Sequence, residues 1–147
     1  MQSVSELYHR DYHAWLDRHV QLLREGRFGE VDQQHLVEEL ESMGRRERNE
    51  LVSRLIILIA HLLKWQYQPE RRTHSWRGSI VEQRVQVRRE LRLSPSLKPF
   101  LASAIVEAYP DAVHIAVQET ELNEPIFPKE CPYTDQMLLD EEHWPVR

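Results

Sequence analysis

From Asp32 to Gln68 the chain carries one apolar stripe, and that stripe limits what the whole sequence can fold into. Leu36, Leu40, Met43, Leu51, Leu55, Leu58, Leu62 and Trp65 recur at steps of three and four, with one gap at Glu47. This is the spacing of a single face of an α-helix. Asp32 suits an N-cap, because its carboxylate can accept from the open N–H groups of a first turn. Pro69 ends the pattern, since the residue before a proline avoids helical backbone angles. The stretch of about 36 residues would be roughly 54 Å long as one helix. Gly44 is its weak point, at a cost of about 1 kcal/mol against alanine. The stripe keeps its phase across Gly44, so one continuous helix is predicted.

The second half of the stretch changes character. Leu51 to Leu63 is apolar on more than one side, the mark of a helix buried all round. Arg54 and His61 interrupt it, and it is too short to cross a bilayer. Nothing else in the chain reads as a signal peptide or a membrane span, so no membrane is expected.

Shorter helices flank the long one. A first helix is predicted from about Ser5 to Glu25, capped by Ser3 or Ser5 and closed by Gly26. A third should start at Ser75 and reach about Arg92. A fourth should run from Pro95, after a Ser94 cap, to about Leu122, with a kink or short break near Ala108 caused by Pro110. Short connections make neighbours antiparallel. Beyond Asn123, Pro125, Pro128 and Pro132 mark an extended tail with one short helix near Thr134–Asp140, anchored by Leu138 and Trp144. The predicted fold is an all-α bundle of four main helices plus a short C-terminal one, in a single domain over residues 1–147 whose tail (123–147) wraps the bundle.

Composition agrees: hydrophobic residues are 41%, charged residues 29% and glycines only 4, which suits a helical core better than a turn-rich β fold. The single cysteine, Cys131, rules out an internal disulfide framework and fits a reducing cytoplasm. Charge is uneven. Residues 71–92 hold seven arginines against Glu82 and Glu90, whereas residues 107–147 hold ten acids against Lys129 and Arg147. The acidic end can neutralise the basic helix within one fold, and a pI near 5.9 argues against nucleic acid as the partner.

The combination of D-Y-H-A-W at Asp11–Trp15, V-E-E-L-E at Val37–Glu41, H-L-L-K-W-Q at His61–Gln66, S-W at Ser75–Trp76, P-S-L-K at Pro95–Lys98 and F-P with C-P-Y between Phe127 and Tyr133 resembles the bacterial family catalogued only as domain of unknown function 29. The resemblance covers nearly the whole chain in order and spacing. It implies an all-helical fold and carries no activity.

Two polar neighbourhoods emerge from hairpin geometry. If the first two helices fold about residue 29, His9, His13, Asp17, His35, Glu38 and Glu39 gather at one end, a donor set of the kind that can hold a transition metal between bundle helices. No metal-binding signature is present, and consecutive Glu38 and Glu39 cannot point the same way. The blander expectation is that one faces water while the other pairs with Arg18 or Arg45. The second neighbourhood holds His61, Lys64, Trp65 and Trp76, with His74 and His114 opposite one another. His61, on the most apolar stretch, should be buried with one ring nitrogen bonded to protein. Trp65 and Trp76 read as packing. Arg77, Arg84 and Arg88 form the nearest thing to a basic stripe.

No nucleophile motif or phosphate loop appears, and no catalytic residue, metal or cofactor is expected. The function expected is a non-enzymatic interaction or adaptor module with an unknown protein partner. A metal-dependent hydrolase or sensor on the His/Glu cluster, and a nucleic-acid regulator on residues 71–92, are the alternatives. Lengths suggest that Val52, Leu55, Ile56 and Ile59 are covered either by the tail or by a second copy in a homodimer.

Overall fold

A computed structural model of the protein describes residues 3–146. It is all-α, with no strand among the described residues. Six α-helices follow in order: α1 (Val4–Arg10), α2 (Tyr12–Arg24), α3 (Gln33–Tyr67), α4 (His74–Leu93), α5 (Leu101–Thr120) and α6 (Asp135–Leu139). The chain divides into two compact units, one up to Arg46 and one from Glu47 onward.

The 35 residues of α3 run unbroken through Gly44, as the stripe predicted. Asp32 caps it, its Oδ1 accepting the His35 N–H at 3.3 Å. The predicted first helix is instead two. Asp11 leaves the helical region (φ −148°, ψ 86°) and turns its carboxylate onto the Ala14 N–H at 3.1 Å, so a capping side chain outcompetes helix continuation. Ser3 and Glu6 form a reciprocal capping box on α1. Gly26, at φ 71°, ends α2: Gly26 N–H reaches the Leu23 carbonyl and Arg27 N–H the Leu22 carbonyl, a closure that needs the left-handed backbone glycine accepts without strain.

In the unit from Glu47, α4 begins one residue before Ser75, capped by Thr73. The fourth helix does not start at Pro95. Residues Pro95–Phe100 form a 3-10 turn, because Pro95 and Pro99 both lack the N–H that an α-helical ladder would use. Pro110 lies inside α5 without breaking it, so of the kink or short break expected near Ala108 the break is absent. Leu101, Ala104, Ile105, Ala108, Ala112 and Ala116 hold that helix against the core. The segment Pro95–Thr120 does have the length and mean hydropathy (26 residues, 1.3) to cross a membrane, correcting the expectation that nothing would. Here it is a core helix.

The core of this unit joins α3 (Leu51, Leu55, Leu58, Leu62), α4 (Ile80, Val87), α5 and the tail (Phe127, Tyr133, Leu138). Leu55 and Ile59 are fully buried, Val52 nearly so, and Ile56 packs at the edge. Of the two covers expected for these four residues, the tail or a second copy, the chain's own core supplies the cover. The tail anchors are as expected: Thr134 caps α6, Leu138 is buried and Trp144 packs on the core.

Candidate functional site: a tryptophan–cation cluster and a tyrosine–histidine network

Where α3 ends and α4 begins, charged and aromatic side chains interleave. Lys64, 5% exposed, ion-pairs with Glu119 at 2.5 Å and lies 4.6 Å from the centre of the Trp76 ring. Arg72 covers Trp65 at 4.7 Å and donates to the Trp65 carbonyl at 2.8 Å. Trp65 in turn packs on Trp144 at 4.8 Å, and Arg77 caps Trp144 at 4.5 Å. A cation desolvated over an indole face gains about 1–2 kcal/mol. Trp65 and Trp144 thus pack against the core while their ring faces, like that of Trp76, each meet a cation.

Arg84 is 1% exposed. Its Nε donates to the Leu138 carbonyl at 2.9 Å and its Nη2 to the Met137 carbonyl at 3.0 Å, so it clamps the end of α6, where helix carbonyls lack partners. Its Nη1 has no partner. Burial pulls its pKa down from the usual arginine value, with Asp140 and Glu141 acting the other way; a guanidinium still stays charged. Arg77, Val81, Arg84, Val85, Glu141 and Trp144 line a small hollow of about 250 Å³. Arg88 pairs with Glu141, and Arg54 bridges Glu50 and Glu90 at 2.8 and 3.0 Å. Much of the basic segment is thus engaged with the tail and the tryptophans.

His61 is half-buried rather than buried. It shares an open face with Ile57, one turn earlier and 39% exposed, and donates Nδ1–H to the Ile57 carbonyl at 2.9 Å. His74 and His114 are both exposed and build no site with it.

The unit up to Arg46 has a different network. The hairpin pairs about two helical turns away from the predicted register: Glu39 meets Tyr8 and Tyr12, not Asp17 and Arg18. The cause is Asp32, drawn back onto α2. Its backbone N–H donates to His19 Nε2 at 2.9 Å, which leaves Nδ1–H to bond the Trp15 carbonyl at 2.8 Å. Its carboxylate accepts from Trp15 Nε1 at 3.1 Å and His35 Nδ1 at 2.7 Å. Burial alone would raise the Asp32 pKa, but the bonds from His35 and Trp15 hold it below the ordinary value. Tyr8 stacks on His35 at 4.0 Å.

Glu39 accepts from both Tyr12 and Tyr8, and these bonds hold its carboxyl below the usual range. It pairs with neither Arg18 nor Arg45. Glu38 is exposed. His13 is exposed as well, paired only with Asp17 at 3.4 Å. The expected gathering forms only in part: His9 and His35 meet ring edge to face at 5.1 Å and Tyr8 links His35 to Glu39, while His13, Asp17 and Glu38 stay at the surface. Among the described residues no group of three or more His, Cys, Asp or Glu side chains is placed to hold a metal ion.

An all-helical fold knit by tryptophan–cation contacts at the end of a long central helix, with the motifs that carry those contacts in order along the chain, defines a class by architecture alone. The chain belongs to the family described as domain of unknown function DUF29, whose model matches residues 7–144. No curated protein and no solved structure matches it.

Proposed function

We propose that the protein is an interaction module of the cytoplasm whose docking surface lies on the unit up to Arg46. The observation that carries this reading is a pair of exposed apolar rows. On α2, Tyr12, Leu16, Val20 and Leu23 are 38–50% exposed at helical spacing; on α3, Val37, Leu40 and Met43 are 45–59% exposed. Single exposed apolar residues are ordinary, but rows of them on adjacent elements mark contact surfaces. The interior of this unit is small, with Trp15 and Leu22 its only buried apolar side chains among the described residues, so further burial has much to add. The tryptophan–cation cluster is spent on internal contacts and serves as scaffold.

Site-specific photo-crosslinking in cells tests the reading. A crosslinking residue at Leu16, Val20, Leu40 or Met43 should give adducts of discrete mass, while the same residue at Val106, an isolated exposed position at 74%, should not. Absence of a discrete adduct from all four positions overturns it.

A further inference from the structure

We infer that the partner on α2 is a second copy of this chain, docked antiparallel across a two-fold axis at Val20. The inference rests on the interaction reading above and deepens it. Leu16, Val20 and Leu23 stand at steps of four and three on α2, 38%, 50% and 42% exposed, on one face of the helix. Trp15, His19 and Leu22 are buried on the neighbouring face, so the row points away from the interior of its own unit. In an antiparallel pair related by a two-fold axis, each residue meets the one equally far on the other side of the axis. With the axis at Val20, Val20 meets its own equivalent, and Leu16, four residues before the axis, packs beside Leu23 of the second copy, three residues after it, within one turn of matched register.

Charge makes the row self-complementary. Asp17 and Arg24 lie on the same flank of the row, seven residues or about two turns apart. Both are exposed. The axis that sets Leu16 against Leu23 also sets Asp17 beside Arg24 of the second copy, in both directions. Among the described residues Asp17 ion-pairs with His13 alone, and that pair lies at the surface with both side chains more than 70% exposed. Arg24 has no ion pair among the described residues. Parallel two-fold pairing would instead carry the Asp17–Arg24 flanks of the two copies to opposite sides of the interface, where neither charge meets its complement.

The axis position gives a sharp test. Val20→Lys and Val20→Glu each place two like charges on the two-fold axis. By sedimentation at tens of micromolar, the unaltered protein should be a dimer and each variant alone a monomer, with helix content unchanged by circular dichroism because Val20 is half-exposed. Mixed in equal amounts, the two variants should form a one-to-one dimer. Asp17→Arg and Arg24→Asp should each weaken the dimer about tenfold and restore it on mixing. A monomeric unaltered protein, a dimer that survives both Val20 variants, or a mixture that stays monomeric overturns the inference. In any of these cases discrete crosslinks of another mass from Leu16 or Leu40 would leave the broader interaction reading standing.

Discussion

The two halves of α3 carry one apolar phase and meet opposite fates. Leu51, Leu55, Leu58 and Leu62 are wholly buried, while Val37, Leu40 and Met43 are about half-exposed. The later half is enclosed by α4, α5 and the tail. The earlier half is fastened to α1 and α2 by hydrogen bonds through Asp32, His35 and Glu39. Periodicity announces that a face is apolar. What covers the face is decided by residues far away in sequence, so a stripe alone distinguishes neither core from docking surface nor apolar from polar fastening.

The widest separation between the halves should come from truncating leucines. Leu58→Ala removes a fully buried side chain and should cost about 2–5 kcal/mol in urea unfolding. Leu40→Ala, at a position 59% exposed, should stay within about 0.5 kcal/mol under monomeric conditions. Equal losses would erase the distinction.

Next in size is Arg84→Ala. Losing two charge-assisted bonds to the carbonyls of Met137 and Leu138 should cost about 2–4 kcal/mol. The loss should appear first as faster amide exchange in α6, because the tail and not α3 depends on that clamp. Unchanged exchange there would show that Leu138 alone seats the tail. Smaller again is Gly44→Ala, within the continuous helix. It should raise stability by about 0.5–1 kcal/mol, read as a shifted urea midpoint. A loss would mean that the backbone at residue 44 needs glycine for close approach.

Most of the fold was legible because it rests on local signals: the stripe through Gly44, the Pro69 stop, the tail anchors Leu138 and Trp144. The sequence groups Lys64, Trp65 and Trp76 with His61 and sets Arg84 in a separate basic stripe, but it does not reveal cations laid on indoles, since ring contacts between α3, α4 and the tail depend on tertiary geometry. Asp11 and Asp32 show the limit most clearly. Asp32 looks like an ordinary capping residue in sequence and Asp11 like an interior residue of the first helix, yet Asp11 splits that helix and Asp32 sets the hairpin register by binding His19, Trp15 and His35. Two consequences followed from missing that register. His13 and Asp17 fall into a predicted cluster they do not join, and Tyr8 and Tyr12, the real partners of Glu39, give no sequence signal of that role.

The gentlest probe of the comparison is pH, because the earlier half of α3 is held by a tyrosine–carboxylate pair whose two pKa values are displaced in opposite directions. Tyr8 is pushed up from 10.0 to about 12, first by its hydrogen bond to Glu39, then by burial and by the charge of that carboxylate. Glu39 is held below 4.5 by the bonds from Tyr12 and Tyr8. A raised tyrosine pKa means that the folded state holds the proton more tightly, so this contribution is complete below pH 10 and fades as pH climbs toward 12. A lowered carboxyl pKa works in the opposite sense: the contribution is complete above pH 4.5 and is lost as pH falls through the folded value. The Tyr8–Glu39 bond should therefore be at full strength between these limits and weaken on either side. Carboxyl NMR of Glu39 should show Tyr8→Phe moving its titration back toward 4.5, and tyrosinate absorbance should show the late-titrating amplitude, which Tyr12, Tyr109 and Tyr133 share, fall by one phenol in the same variant. Circular dichroism should find the packing of Leu51–Leu62 insensitive to that substitution. If Tyr8→Phe left the Glu39 titration where it was, Tyr12 alone would hold the carboxylate, and the fastening of the earlier half would reduce to one phenol and Asp32.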